Sequence, residues 1–228
     1  AHRVAYSEED LVLLLRQLAR ALEHVHGRGL LHLDVCPANV VVSPTRTLKL
    51  IDFGSTRKVA ALGTGGNSGS SGTLEYSAPE VIKGGAFSTP ADIWGLGVIT
   101  FIVLSGGHPF LAPSVEQTCA NIRRAEVNFG SCYSKVSRNA VLFLKNILLL
   151  NPVSRPTSPE CLAAPWLQDD PVSRSRRSSL LFPSRALRTF IRAEEERRRR
   201  VATRQNVGPT AAQTQGQRKE LQNQGQDL

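Results

Sequence analysis

The sequence predicts a mainly α-helical domain with one short β-hairpin, followed by a basic helical segment and a disordered polar tail. Apolar residues recur at helical spacing behind capping residues in several stretches, and two β-branched-rich runs flank a turn. Residues 171–204 hold 11 of the 28 Lys and Arg but only 3 of the 19 Asp and Glu. We therefore expect a folded domain over 1–170, a basic linker with an amphipathic helix over 171–204, and disorder over 205–228.

The first helix is expected to follow Ser7, which stands before three acidic residues as an N-cap does. Apolar side chains then continue at helical spacing to a stop near Gly27. The histidines of this helix, His24 and His26, are expected to pack or face water, because no second ligand is placed near them.

A hairpin is expected next, with strands at Val40–Val42 and Leu48–Ile51 around a Ser-Pro-Thr-Arg turn. The polar residues at the strand ends are His32, Asp34, Asn39 and Asp52. A hairpin would bring Asp34, Asn39 and Asp52 together at one mouth. Two carboxylates and a carboxamide suit magnesium, with one carboxylate left to handle a proton, and this set suggests phosphoryl transfer.

The glycine-rich stretch 63–72 is interpreted as a flexible loop. A phosphate cradle is disfavoured because no Lys-Ser/Thr follows it. Asp92 opens an apolar helix that runs to about Leu104 and belongs in the centre of a globule. Asp92 itself is either a helix cap or a residue with a further partner.

Three more helices are expected in the second half of the folded domain. One follows Ser114, the next begins at Ser137 with Val141 among its core residues, and the last spans Pro159–Leu167. Trp166 is expected to pack as a lid on the core. Arg155, in the turn before the last helix, is either a surface residue or a buried ion partner.

Six motifs occur in the order found in the C-terminal lobe of protein kinases. They are His32-x-Asp34 with Asn39, Asp52-Phe53-Gly54, Ala78-Pro79-Glu80, Asp92-x-Trp94-x-x-Gly97, the turn at Arg155, and Trp166. Residues 7 to about 168 thus resemble that lobe. The sequence is similar to the calcium/calmodulin-kinase group, within it to the subfamily of obscurin, striated-muscle preferentially expressed kinase, Trio and kalirin. The similar residues are Leu33 between His32 and Asp34, and the stretches Tyr76–Glu80, Ile99–Gly106 and Pro165–Gln168.

The resemblance implies a serine/threonine kinase that transfers the γ-phosphate of ATP to a protein substrate. The resemblance implies that Asp34 accepts the proton, that His32 supports the loop and that Thr73 faces Asp34. Asn39 and Asp52 would bind Mg²⁺ and ATP, together with Phe53 and Gly54. Asp92 would support the loop backbone, and Glu80 would pair with Arg155.

Three loop residues depart from the family pattern. Leu33 replaces an Arg that, in many kinases, binds the phosphorylated activation loop. Cys36 replaces a Lys that stabilises the transferred phosphate, and Ala38 replaces an acidic residue that is common at its position. Loss of one electrostatic contact typically costs on the order of 10² to 10³ in rate. The alternative is therefore a pseudokinase or scaffold lobe.

Only six residues precede the first expected helix, so the family's N-terminal lobe is expected to be absent from this sequence. The sequence also contains no methionine, which suggests a partial chain with a possible truncation at Ala1. ATP binding by this chain alone is expected to be weak.

The basic segment leaves two interpretations open. From Ser184 onward, apolar residues fall on one helical face and acids precede arginines by one turn, so it is either a solvated charged helix or a partner-binding one. Residues 180–200 are a possible site for calmodulin or another acidic partner. Nucleic acid is disfavoured, because no aromatic residues interleave the arginines.

The remaining composition favours a soluble cytoplasmic protein. The longest apolar run, around Leu96 to Leu104, is too short to span a bilayer, so no membrane partner is expected. No secretory signal is present, and the cysteines lack paired metal spacing, which favours free thiols in a reducing compartment. They are Cys36, Cys119, Cys132 and Cys161.

Overall fold

The computed structural model describes residues 5–59, 73–130 and 136–168, together with 175, 177, 181–183, 188–189, 192–193 and 196. The chain divides into two compact units, Ala1–Leu187 and Arg188–Leu228, and the elements below belong to the first. In the second, residues 188–189, 192–193 and 196 have helical backbone. The predicted loop 63–72 and tail 205–228 lie outside the described residues.

The described part of the first unit is rich in helix and contains only short strands. The helices are α1 (Glu8–Gly27), α2 (Pro79–Ile82), α3 (Thr89–Ser105), α4 (Val115–Arg124), α5 (Arg138–Ile147) and α6 (Ser158–Ala163). The strands are β1 (Ala5–Ser7), β2 (Leu30–Leu31), β3 (Val40–Val42), β4 (Leu48–Leu50), β5 (Arg57–Lys58) and β6 (Leu181–Pro183). They pair antiparallel as β1–β6, β2–β5 and β3–β4.

Helix α1 begins where its sequence predicts. Ser7 and Asp10 form a capping box in which each side chain accepts a hydrogen bond from the other's backbone N–H. The apolar face of α1 is buried, and Gln17 on the same helix holds the β3–β4 hairpin. The Gln17 amide donates to Arg46 O at 3.0 Å and accepts from Leu48 N at 2.9 Å.

Helix α3 forms the centre of the core, with nearly every residue from Ala91 to Leu104 buried. It begins at Thr89, three residues before Asp92, because Pro90 in its first turn is compatible with a helix start. Its Trp94 ring stacks on Phe110 at 5.2 Å. Gly95 and Gly97 allow neighbouring segments to approach this helix closely.

Helix α5 and Trp166 close the core on another side. The ring centroids of Trp166 and Phe143 lie 5.2 Å apart, and Trp166 Nε1 donates to the buried Glu8 carboxylate at 2.6 Å. Trp166 therefore packs as the predicted lid on the core. Val141, expected in the core, is only partly buried. The last helix, α6, ends at Ala163 rather than Leu167, because Pro165 disfavours helical backbone at Ala164, whose ψ is 139°.

Two predictions concerned membrane-spanning segments and the state of the cysteines. Within the described ranges no helix combines the length and apolarity needed to cross a membrane. The cysteines placed there, Cys36, Cys119 and Cys161, are free thiols.

Candidate active site

The polar residues predicted to meet lie in the loop between β2 and β3 and just after β4. A short 3-10 turn, Pro37–Asn39, leads from this loop into β3. Ile51 N donates to Asn39 O at 2.9 Å, which extends the pairing of β3 with β4 by one step. Asp52 therefore follows directly after the backbone pair that contains Asn39, at the predicted mouth of the hairpin.

The Asp34 carboxylate is held by two donors. Asn39 Nδ2 donates to Asp34 Oδ2 at 2.8 Å and also to the Asp34 carbonyl at 2.8 Å. Thr73 N donates to Asp34 Oδ1 at 2.8 Å. Each carboxylate oxygen has a second lone pair, so the group keeps accepting capacity for an incoming hydroxyl. A cavity of about 20 Å³, room for one water-sized group, lies against Asp34 and Thr73.

Thr73 meets Asp34 through its backbone N–H, whereas its hydroxyl points to another residue. Thr73 Oγ1 donates to Cys36 Sγ at 3.7 Å. The Cys36 side chain is fully buried. The loop position at which the resemblance expects a lysine thus holds a buried cysteine.

Asp52 occupies a strained backbone position at the edge of the hairpin. Its φ is 62°, in the left-handed region, and its Oδ1 accepts a hydrogen bond from Gly54 N at 3.1 Å. The residue is exposed, as is Phe53, whose ring packs at a steep angle against the His32 ring with the two ring centroids 4.9 Å apart. The Asp52 carboxylate keeps an oxygen free of described hydrogen bonds.

His32 is buried and links the loop to the hairpin. Its Nε2 lies 3.2 Å from Ile51 O, and its Nδ1 accepts from Asp34 N at 3.3 Å. Because a carbonyl only accepts, Nε2 carries the proton in this arrangement. His32 therefore supports the backbone on both sides of the candidate site.

Asp92 holds the backbone of the same loop from α3. Its carboxylate accepts from His32 N at 2.8 Å and from Leu33 N at 2.7 Å. Leu33 has φ 63°, a left-handed conformation that is unfavourable for a leucine. Two hydrogen bonds from one buried carboxylate oppose that strain, so Asp92 is more than a helix cap.

His26 also contacts Asp92, which the sequence reasoning missed. His26 Nε2 lies 2.8 Å from Asp92 Oδ2, and Nδ1 lies 3.2 Å from Ser158 Oγ. The side chain is only 9% exposed. The expectation that His26 packs or faces water is incomplete, because its two partners are 66 and 132 positions away and no local pattern announces them.

Glu80 and Arg155 form a buried bidentate ion pair. Arg155 Nη1 and Nη2 donate to the two Glu80 oxygens at 2.7 and 2.8 Å. Arg155 also donates to the carbonyls of Pro90, Leu149 and Leu150. Its guanidinium lies 4.9 Å from the centre of the Trp94 ring. Of the two interpretations of Arg155 left open above, the buried ion partner is the observed one.

The donor set at the hairpin mouth consists of oxygen ligands. Asn39 uses its Nδ2 on Asp34, which leaves its Oδ1 as an acceptor, and Asp52 adds carboxylate oxygen. Hard cations such as Mg²⁺ prefer these ligands and need few of them from protein. Across the described residues no group of three His, Cys, Asp or Glu side chains forms a metal site.

Comparison with known proteins gives one matching family and several relatives. Residues 1–167 match the family described as protein kinase domain. The chain is 40% identical over 205 residues to the striated muscle preferentially expressed protein kinase of Danio rerio, covering 90% of the chain and 7% of that protein. It is 35% identical over 182 residues to serine/threonine-protein kinase 17A of Oryctolagus cuniculus, covering 75% of the chain and 44% of that protein.

Among solved structures, the chain is similar to the autoinhibited serine kinase domain of the giant muscle protein titin. The TM-score is 0.72 at 29% identity, and the match covers 84% of this chain and 59% of the other. The chain therefore spans less than two thirds of each of these proteins.

Proposed function

Because the chain belongs to the protein kinase family, we propose that it is the C-terminal lobe of a serine/threonine kinase that transfers the γ-phosphate of ATP to a protein hydroxyl. The relatives named above are longer, and we propose that a nucleotide-binding lobe completes this one in the intact protein. The exposed apolar side chains around the hairpin favour such a neighbour. They include Val41, Val42, Ile51, Phe53 and Val59.

The observation that carries the proposal is the orientation of Asp34. Its carboxylate is fixed by Asn39 Nδ2 and Thr73 N beside a cavity of about 20 Å³, which suits a small hydroxyl group. A carboxylate within hydrogen-bond reach of a substrate hydroxyl orients it and accepts its proton. His32 and Asp92 hold the loop so that this orientation persists between turnovers.

Asn39 and Asp52 would hold Mg²⁺ on ATP, with Phe53 and Gly54 shaping the turn around Asp52. The metal, when bound, would neutralise the charge that develops on the transferred phosphoryl group. The chain's own contribution is to present the two oxygen ligands from a backbone-paired hairpin end. The partners proposed are a protein substrate and, on residues 180–200, calmodulin or another acidic protein. The free thiols support a cytoplasmic location.

The test is a kinase assay on the intact protein with Mg-ATP and a generic serine/threonine substrate. Asp34→Asn keeps the side-chain shape and the hydrogen bond from Thr73 N, but it removes the proton acceptor and the oxygen that faces Asn39 Nδ2, so turnover should fall at least about 10²-fold. Glu23→Gln is the matched control, because Glu23 is an exposed acid of α1 away from the loop. Equal rates for the intact protein and Asp34→Asn would reject the proposal.

A second candidate, a pseudokinase or scaffold lobe, is favoured by Cys36. The buried thiol supplies no positive charge beside the developing negative one. Thermal denaturation of the intact protein with and without Mg-ATP separates a lobe that takes part in nucleotide binding from a scaffold lobe. A stabilisation that Asp52→Ala abolishes supports nucleotide use, whereas no stabilisation supports the scaffold.

A further inference from the structure

The ends of three helices meet behind the loop that carries Asp34. His26 lies in the last turn of α1, Asp92 lies in the first turn of α3, and Ser158 is the first residue of α6. Ser158 is 2% exposed and the His26 side chain is 9% exposed, so both groups lie inside the protein. His26 Nδ1 lies 3.2 Å from Ser158 Oγ, and His26 Nε2 lies 2.8 Å from Asp92 Oδ2. The three side chains thus form one buried network, Ser158–His26–Asp92.

The chemistry of the imidazole gives this network a direction. The Asp92 carboxylate already accepts from two backbone N–H groups of the loop, so His26 Nε2 is the donor to it. In a neutral ring Nδ1 is then an acceptor, and the Ser158 hydroxyl donates to it. If Nδ1 carries a proton, the same hydroxyl can turn and accept. In either state the contact with Ser158 keeps Nε2 directed at Asp92, because the bond made by one ring nitrogen sets the role of the other.

Ser158 is itself held in place by its helix. Thr157 caps α6 and forms a capping box with Glu160, in which each side chain accepts from the other's backbone N–H. Cys161, three residues beyond Ser158, is fully buried. Among the described residues, Ser158 Oγ is the only partner of His26 Nδ1. Helix α6 therefore contributes one hydroxyl, at a defined place, to the support of the loop.

We propose that Ser158 is a positioning residue for phosphoryl transfer, which orients His26 against Asp92 and thereby holds the loop that carries the candidate site. The proposal rests on the proposed kinase function for the reaction that is affected. Asp92 Oδ2 accepts from both His26 Nε2 and His32 N, at 2.8 Å each. A rotation of the imidazole therefore acts on the same oxygen that holds the loop backbone.

Removal of the Ser158 hydroxyl leaves a buried nitrogen without its described partner. A buried polar atom in that state is unfavourable, so the imidazole gains by turning towards another group or towards water. Nε2 then no longer points at Asp92. Leu33, which the Asp92 carboxylate holds at φ 63°, loses part of the support for that strained conformation. The loop that carries Asp34 becomes free to move.

The first measurement is hydrogen exchange in the full 228-residue chain. The amides of His32 and Leu33 are compared with amides in the centre of α3, which report opening of the whole core. Ser158→Ala should raise the exchange rate of the two loop amides relative to α3 about fivefold or more, as expected for one hydrogen bond. Thr157→Ala is the matched control, because it removes the neighbouring hydroxyl and the α6 cap but leaves the contact with His26. It should keep the ratio within about twofold.

The second measurement is turnover of the intact protein with Mg-ATP and a serine/threonine peptide, below the unfolding temperature of every variant. The described side-chain contact of Ser158 is His26 and not a residue of the candidate site. Ser158→Ala should therefore lower kcat about fivefold or more and leave KM for ATP and for the peptide within about twofold. Thr157→Ala should keep the kcat of the unsubstituted protein.

Two results would overturn the proposal. One is an exchange ratio for Ser158→Ala equal to that for Thr157→Ala, which would show that the loop is held without the hydroxyl. The other is a kcat that is unchanged in Ser158→Ala, or lowered equally in both variants, which would leave α6 as a structural support only. Ser158→Cys keeps the side-chain size but offers only a weak donor, and it gives the same comparison if Ser158→Ala does not fold.

The two measurements also separate this proposal from the kinase function on which it rests. Hydrogen exchange needs no activity. If turnover of the intact protein does not exceed that of Asp34→Asn, the kinase function is rejected, while the exchange ratio still decides whether Ser158 holds the loop.

Discussion

Arg155 shows how much one buried side chain contributes to this protein. Its guanidinium meets Glu80, three carbonyls and the Trp94 ring while only 4% of the residue is exposed. Arg155→Ala leaves the Glu80 carboxylate without its ion partner, so we expect the free energy of unfolding to fall by about 3–5 kcal/mol. Urea denaturation of the full chain measures it.

Arg123 provides the control for this substitution, because it is an exposed arginine on α4. Arg123→Ala should change the free energy of unfolding by less than about 0.5 kcal/mol. A loss for Arg155→Ala no larger than that would mean that the buried pair does not stabilise the fold.

Cys161 gives the protein a defined response to alkaline pH. Burial, with a smaller contribution from Glu160, raises the pKa of its thiol from 9.0 to about 12. The unfolded thiol loses its proton near pH 9 while the folded one keeps it. The stability that this group contributes is therefore complete below pH 9 and decreases as the pH rises towards 12, by about 1.4 kcal/mol per pH unit.

Unfolding free energies at pH 8.5, 9.5 and 10 test this response. That range lies at or below the unfolded pKa of Tyr6, which burial raises from 10.0 to about 12. Cys161→Ala should flatten the pH dependence, whereas Cys119→Ala, at a partly exposed site, should leave its slope unchanged. An unchanged slope in Cys161→Ala would contradict the assignment.

At the scale of elements, two glycines of α3 predict a graded pair of effects. A Cβ at Gly95 would lie 2.7 Å from Val35 O, which is backbone next to Asp34. A Cβ at Gly97 would lie 2.7 Å from Ile147 Cγ2 and 2.8 Å from Leu148 Cδ2, which are side-chain atoms and not backbone. We expect Gly95→Ala to cost about 2–3 kcal/mol and Gly97→Ala about 1 kcal/mol.

Thermal denaturation gives the order of these two costs, and turnover of the intact protein gives their effect on the site. Gly95→Ala should also lower turnover, because it displaces the loop that carries Asp34, whereas Gly97→Ala should not. A larger loss of stability for Gly97→Ala than for Gly95→Ala would show that α3 does not pack against the loop as closely as its geometry indicates.

The elements that the sequence predicts well are those with local signals. The Ser7 cap and the apolar spacing predict helix α1, and the β-branched runs predict the hairpin. Both elements have nearly the expected bounds in the structure. The end of α6 was wrong because the pattern of apolar residues outweighed the local effect of Pro165. Strand β6 was not foreseen, because its partner β1 lies at the other end of the chain and a three-residue strand has no period of its own.

At the scale of the whole molecule, the resemblance to the protein kinases is confirmed by the matching family and the relatives. Motif spacing brings Asp34, Asn39 and Asp52 into one region, because all three lie within a single hairpin and its flanks. The residues that support this region come from distant parts of the chain. His26, Asp92 and Ser158 come from α1, α3 and α6, and only the packed core brings them to one point.

Asp92 connects the packed core to the loop that carries the candidate site. Its carboxylate accepts from two backbone N–H groups of the loop and lies against His26, with no exposure of its own side chain. These bonds keep Leu33 at φ 63°, a conformation that costs about 1–2 kcal/mol. Asp92→Asn can present only one acceptor oxygen, and its amide group would face another donor.

We therefore expect Asp92→Asn to release Leu33 from the left-handed region and to let the loop carrying Asp34 move. Turnover of the intact protein should fall at least about 10²-fold, because misplacing a catalytic group by about 1 Å has that effect. Hydrogen exchange at the amides of His32 and Leu33 should speed up, while exchange in α4 stays unchanged and serves as the internal control, because the hydrogen bonds described for Asp92 go to His26, His32 and Leu33. Protection of those two amides at the level of the unsubstituted protein would mean that the loop holds its strained conformation without the core.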